Sequence, residues 1–308
     1  MKTKFSFMAI AAGRESVEGN SIKRYIGVAP VFVLSVNPSR EELEKIYGTE
    51  IEKEPEYLGE TEVGEDKHKV QNLRLDFIVK TDAEKCGIEL TTKVALFLRN
   101  EIRVNKDKTK CQVIDKYGRT TWVTSEQLKN HIIPLDKNNN PLQIDADYRP
   151  AYDGEENLTN FIKAYLNIPD PTSYVNGKWV ENTRVKAVDC ECRLEHISEY
   201  FKGNIEEVKA ITTLQPNNKV KILFGVRNTD DNKQYQAAYI DKFLKNNVTD
   251  YSKLDAHMQD RKAHGAYPNT EFKVEDIAEY KIVATDFTGG GDLPFEEPTG
   301  ATPWGKKE

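Results

Sequence analysis

Cysteine is scarce. The 308 residues hold four, Cys86, Cys111, Cys190 and Cys192, too few for a disulfide scaffold and in keeping with a reducing cytoplasm. Long hydrophobic runs are missing too. The longest mostly apolar stretch, Tyr25 to Val36, is interrupted by Gly27 and Pro30 and is too short to cross a bilayer as a helix. With 18 glycines and 13 prolines the chain has the composition of neither collagen nor a wholly disordered protein. No charge sign dominates: 44 basic against 50 acidic residues leave a net charge of −6, which excludes a uniformly basic duplex-coating protein. Enzyme signatures are absent as well, with no GxGxxG, HExxH or GxSxG anywhere. Gly300 to Lys306 fits the first seven positions of a Walker A loop. Lys307 then stands where a Ser or Thr would bind magnesium, with no strand before it and no helix after, so the match is rejected.

What is present is a length ample for a buried core, as one large or two modest domains. The opening MKTKFSFMAIAAG imitates a secretory signal, but its apolar part is short and broken by Ser6. It is read as a first strand, with Phe5, Phe7 and Ala9 on one face. The β-branched run from Ile22 to Val36 predicts one or two strands. Ser39 and Glu42 form a capping box for a helix that Gly48 ends. Residues 41–70 carry eleven acids against four bases and are read as a solvated loop after that helix. Alternation at Leu73, Leu75, Phe77 and Val79, and at Val94, Leu96 and Leu98, predicts strands. Asp115-Lys116-Tyr117-Gly118 reads as the turn of a hairpin, and Thr124 with Gln127 caps a short helix. Asp153 is expected to cap the clearest helix, 154–168, where Leu158, Phe161, Ile162, Tyr165 and Leu166 repeat at helical spacing. Strands are expected at 183–193, 206–214, 219–227, 233–238 and 278–284, with a polar helix at 251–263. Strands outnumber helices without regular alternation, which predicts an α+β fold, mainly antiparallel, over residues 1–284. From residue 285 to 308 Gly and Pro are frequent and periodicity vanishes, the composition of a disordered acidic tail.

The strand faces carry the functional signal. Along 93–99, Val94, Leu96 and Leu98 point one way and Lys93, Ala95, Phe97 and Arg99 the other. From Lys93 to Arg119 eight bases, Arg103, Lys116 and Arg119 among them, stand against three acids, and Tyr117 and Trp122 add aromatic rings. The strand 219–227 repeats the arrangement, with Lys219, Lys221 and Arg227 opposite an apolar face and Tyr235 and Tyr239 close behind. Cations that track phosphates, combined with aromatics that stack on any base, suit single-stranded nucleic acid.

Within 286–297 there are four acids and no base, and Gly289-Gly290-Gly291 precedes Asp292-Leu293-Pro294-Phe295. This resembles the end of bacterial single-stranded-DNA-binding proteins, where a glycine-rich linker leads to an acidic tip closing in D-[IL]-P-F that recruits replication and repair proteins. Here thirteen residues follow Phe295. The segments IKRYIGVAPVFVLSVNPSREELEKIYG, QVIDKYGRTTWVT and YRPAYDGEENLTNFIKAYLNIP are similar to stretches of tailed-bacteriophage single-stranded-DNA-binding replication proteins. That resemblance covers most of residues 20–170. It implies an OB-type barrel whose strand faces bind single-stranded DNA, no cofactor, no catalysis and a place in the host-cell cytoplasm. The resemblance of the tail to bacterial single-stranded-DNA-binding proteins implies that Asp292, Leu293, Pro294 and Phe295 dock on replication and recombination proteins.

Other chemistries remain as alternatives. Cys190, Cys192 and His196 offer three zinc ligands, but C-x-C followed by His is not a finger spacing, and on a strand both cysteines share a face as small core residues. Asp145, Asp147, Asp153, Glu155 and Glu156 are the carboxylates a metal-dependent nuclease would use. A virion or assembly protein, with the tail as connector, is the third reading.

Overall fold

The computed structural model describes residues 23–65, 67–130, 147–176, 178–228 and 234–281. The strand expected at 5–9, Asp145, and the expected tail with Asp292, Leu293, Pro294 and Phe295 lie outside those residues. The β-branched run forms β1 (Tyr25–Val36). The expected capping box starts α1 (Arg40–Tyr47): the Glu42 amide donates to the Ser39 hydroxyl, the Ser39 amide donates to the Glu42 carboxylate, and Gly48 at φ 64° ends the helix. The acidic stretch is exposed as expected but is not all loop. It holds β2 (Leu58–Val63), paired with β3 (His68–Thr81). With both faces wet, no apolar alternation reveals such a strand. The single turn α2 (Ala83–Cys86) leads to β4 (Thr91–Ile102) and the hairpin β5 (Lys110–Ile114) and β6 (Thr120–Thr124). The hairpin turns at Asp115–Gly118 as expected, and the Thr124–Gln127 capping box opens α3 (Ser125–Lys129).

Short strands β7 (Arg149–Pro150) and β8 (Tyr152–Asp153) precede α4 (Glu155–Tyr165). A hairpin of β9 (Thr172–Val175) and β10 (Lys178–Glu181) follows. Next come a 3-10 turn at Ala187–Cys190 and helices α5 (Ile197–Tyr200) and α6 (Glu206–Leu214). The chain continues through β11 (Lys219–Asn228), β12 (Gln234–Lys245), α7 (Ser252–Ala263), β13 (Thr270–Phe272) and β14 (Ala278–Glu279).

Four expectations are corrected. Residues 206–214 are helix, because Ile205, Val208 and Thr212 bury one helical face and Glu206 and Glu207 complement the dipole of the first turn. Residues 183–193 form no strand; Cys192 and Arg193 both donate backbone hydrogen bonds to the Lys116 carbonyl, which docks the segment on the hairpin turn instead of in a ladder. Of the strand expected at 278–284, β14 holds Ala278 and Glu279, Tyr280 and Lys281 are not strand, and 282–284 lie outside the described residues. Asp153 does not cap α4: Gly154 holds the N-cap at φ 89°, and Asp153 is drawn sideways to arginine.

The main sheet has nine strands in the order β12-β11-β1-β3-β4-β8, with β13 beside β11, β14 beside β1 and β2 beside β3, all antiparallel. It curls enough that Cα atoms of β12 come within 8 Å of β4, yet no ladder joins the two and the sheet does not close. Its inner face, with Val31, Leu73, Leu75, Phe77, Val94, Leu96, Val220 and Phe224, packs on α4, whose Phe161 ring lies 4.5 Å from that of Phe77. Burying each of these side chains contributes roughly 1.5–3 kcal/mol. On the outer face, α7 covers Val28 and Leu223 with Leu254 and Met258, and Leu43 of α1 covers Ile78. A strip of β3 and β4 is left open. A second sheet, β6-β5-β7, encloses Val113, Val123 and Tyr148 beyond the end of β4. Among the described residues no helix is long and apolar enough to cross a membrane.

Gly154 shows how closely α4 is seated. A Cβ there would stand 2.0 Å from the Phe97 carbonyl oxygen, at a φ that side chains disfavour. Gly154→Ala is expected to cost about 3 kcal/mol or more of folding stability, read by urea denaturation.

Candidate nucleic-acid interface

On β4 the alternation works as expected. Val94, Leu96 and Leu98 are buried, while Lys93, Ala95, Phe97 and Arg99 face out, with Phe97 52% exposed. The β3–β4 register sets Arg74 opposite Phe97, Asp76 opposite Ala95, Ile78 opposite Lys93 and Asn72 opposite Arg99. Ala95, the smallest side chain of this row, leaves a shallow floor between Phe97 and Lys93. Arg74 lies over the Tyr57 ring at 5.8 Å and pairs through Nε with Asp76 at 3.1 Å; Lys93 pairs with the same carboxylate at 3.2 Å. Asn37 holds Asp76 in place, its Oδ1 accepting from the Asp76 amide and its own amide donating to the Asp76 carbonyl. Arg74 was not singled out from the sequence. The signal was there: counting Leu73, Leu75 and Phe77 inward puts Asn72, Arg74 and Asp76 outward.

The remaining candidate residues fall elsewhere. Arg99 pairs with Asp153 at 2.8 Å. Arg103, beyond the end of β4, pairs with Glu156 at 3.1 Å and covers the half-buried Trp122 ring at 5.9 Å. In the hairpin turn, Arg119 clamps the fully buried Asp115 at 2.7 Å. Tyr117 is buried between the Lys116 ammonium and the Arg119 guanidinium, at 5.3 and 4.9 Å from the ring centre. Its ring therefore offers no open face, contrary to its expected stacking role. Lys116 also approaches Glu191 at 4.0 Å.

Two strands, β1 and β3, separate β11 from β4, a step of about 14 Å at the usual strand spacing. There Lys219 donates to Asp82 at 2.5 Å and lies 4.6 Å from the Phe32 ring centre. Lys221 donates to the Val248 carbonyl and the Tyr251 hydroxyl. Arg227 is exposed at the far end of β11, next to β13. The structure thus brings Lys93, Phe97 and Arg99 together with Arg74, sets Arg103, Arg119, Lys219 and Lys221 to holding turns, strands and helices in place, and leaves Arg227 exposed apart from both groups.

The alternative metal sites look different in space. Glu155 is fully buried and held by Arg149 through two bonds of 2.6 and 3.0 Å. Glu156 accepts from Arg103, Gln112 and Thr120. With Asp153 on Arg99 and the exposed Asp147 on Arg193 at 3.6 Å, every described carboxylate of that set faces a guanidinium. Cys190 lies in the 3-10 turn rather than a strand, and burial pushes the Cys192 thiol up to about 12. His196 is exposed beside Glu207. Among the described residues no three His, Cys, Asp or Glu side chains converge as metal ligands would.

The Lys219 hydrogen bond holds the Asp82 carboxyl below the usual carboxylate range. A depressed carboxyl stabilises the fold above its unfolded value, about 3.9, and that contribution disappears as pH falls through the lower folded value. Lys219→Met is therefore expected to lower the Tm at pH 7, with the gap to the parent narrowing as the pH is taken below about 4. The chain matches no family model, no curated protein and no solved structure.

Proposed function

We propose that this protein binds and coats single-stranded DNA without strong sequence preference, as a phage-type replication and recombination protein, and that it is not an enzyme. The observation that carries the reading is Phe97: a large aromatic ring, half exposed on an open strip of sheet, with Lys93 and Arg99 on its own strand and Arg74 across from it. An exposed ring of this size forgoes the free energy its burial would bring, whereas a base stacked on it contributes roughly 1–3 kcal/mol. The flanking cations supply phosphate contacts. Arg99 keeps two-fifths of its side chain exposed, and its pair with Asp153 is of the partly solvated kind that contributes about 0–1 kcal/mol, so a phosphate can share the guanidinium.

Connectivity supports the same reading. β1, β3 and β4 run as a meander, α4 follows, and β11 then returns beside β1 with β12 outside it, curling toward β4. We read this order as that of an opened OB-type barrel, in which the second and third strands, here β3 and β4, would present the binding face. The acidic segment with Asp292, Leu293, Pro294 and Phe295 would recruit partner proteins and compete with DNA for the cations, as an extended acidic peptide with one aromatic anchor is suited to do. A nuclease fits less well, since the carboxylates it would need are held by arginines.

The test is a fluorescence-anisotropy titration of a labelled mixed-sequence oligodeoxynucleotide at low and moderate salt. Saturable binding is expected, with log K falling against log salt by about 0.7 per phosphate contacted. Phe97→Ala is expected to weaken it roughly 5- to 150-fold, the loss of one stacked base, without a change in fold. No binding at low salt, by the full chain or by the chain ending at residue 284, would overturn the proposal.

A further inference from the structure

Asp76 is an anion in the middle of a surface proposed to bind a polyanion, and it is not there by exposure. Its side chain is 4% exposed, its backbone is hydrogen-bonded to Asn37 on both sides, and its two oxygens face Arg74 Nε at 3.1 Å and Lys93 Nζ at 3.2 Å. Considered as charge alone, it opposes DNA binding. Geometry gives it a different part.

A buried carboxylate is costly to leave unpaired, by about 3–5 kcal/mol when one partner is removed, so neither cation is free to leave it for a phosphate. Neither needs to. Arg74 turns its buried Nε toward Asp76 as an ion pair at 3.1 Å that falls outside hydrogen-bond geometry, while a third of its side chain stays exposed. Guanidinium is a rigid planar fork, so the ion pair with Asp76 at one edge and the Tyr57 ring against its flat together restrict where the terminal N–H groups point. Lys93 pairs with Asp76 at 3.2 Å through one side of its ammonium and is two-fifths exposed. A flexible cation loses side-chain freedom when it grips a phosphate; one already held has lost it on folding.

Building on the proposed DNA interface, we propose that Asp76 is a positioning residue. It pre-orders Arg74 and Lys93 on either side of the Ala95 floor, so that phosphates meet them while a base stacks on Phe97. The consequence opposes simple electrostatics. Asp76→Asn removes one negative charge from the DNA-binding face, and charge counting demands tighter binding with a steeper salt dependence. Positioning demands weaker binding.

The experiment measures anisotropy with one mixed-sequence oligodeoxynucleotide for the full-length protein, Asp76→Asn, Arg74→Gln, Lys93→Gln, and each of the latter two combined with Asp76→Asn. Far-ultraviolet circular dichroism and thermal melting show that each variant is folded. Asp76→Asn is expected to bind roughly five-fold more weakly, the loss of about one oriented charge-assisted contact. Arg74→Gln and Lys93→Gln are expected to cost several-fold less in the Asp76→Asn background than in the parent. Phe97→Ala, as internal control, should cost the same in both backgrounds, which a general distortion of the sheet would not allow. Unchanged or tighter binding by folded Asp76→Asn overturns the positioning role and leaves the interface standing. So does additivity across the cycles, or a Phe97 contribution that is lost along with Asp76. Absence of binding by the parent overturns both. Should Asp76→Asn fail to fold, Asn37→Ala replaces it, since it removes the side chain that pins Asp76, and the same cycles and criteria apply.

Discussion

Everything in the described fold depends on the way α4 closes the inner face of the curled sheet. Its apolar side, Leu158, Phe161, Ile162 and Tyr165, fills the space between β3, β4 and β12, and the helix also reaches β8 and β11. Its first turn is as constrained as its apolar side. Glu155, with no exposure, is satisfied by Arg149 and by the Tyr152 amide; Glu156 is satisfied by Arg103, Gln112 and Thr120. Acids at a helix start also complement its dipole. The helix end thereby ties β5, β6, β7, β8 and the residue just past β4 to one point, and the close approach of Gly154 to Phe97 sets the height at which it sits.

That arrangement determines which cations are left for function. The chain carries 44 basic and 50 acidic residues, and among the described residues the pairing follows location. Arg103, Arg119, Arg149 and Lys219 serve carboxylates that are buried or partly buried, where an unpaired charge would be expensive. Arg74 and Lys93 serve a buried carboxylate too, and Arg99 a partly buried one, but these three cations stand on the open strip and keep a third to two-fifths of their side chains exposed. The covering of the outer face by α1 and α7 matters equally, because it leaves Phe97 as the large aromatic of β4 with no helix over it.

Local signals were legible wherever their physics is local. The capping boxes at Ser39 and Thr124, the Asp115–Gly118 turn and the alternation of β3 and β4 involve residues a few positions apart, and they stand as read. Segment 206–214 was misread because β-branched Val208, Ile211, Thr212 and Thr213 favour strand intrinsically, while the burial of Ile205 and Val208 against β1 is a tertiary gain that outweighs propensity. β2 was missed since its side chains bury little on either face.

The same division applies to the candidate site. Period-two alternation by itself determined that Lys93, Phe97 and Arg99 share a face and that Val94, Leu96 and Leu98 line the core, because pleating forces it. Composition by itself separated the basic stretch 93–119 from the acidic stretches around it. Only the tertiary structure decided that Arg74 joins Phe97 while Lys219 and Lys221 stand two strands away, that Tyr117 is buried while Phe97 is not, and that Asp153 serves Arg99 instead of a helix end. Strand order, register and the choice of ion-pair partner depend on contacts between residues dozens of positions apart. Each is settled by which burial and which pairing cost least together, a sum that no single stretch of sequence contains.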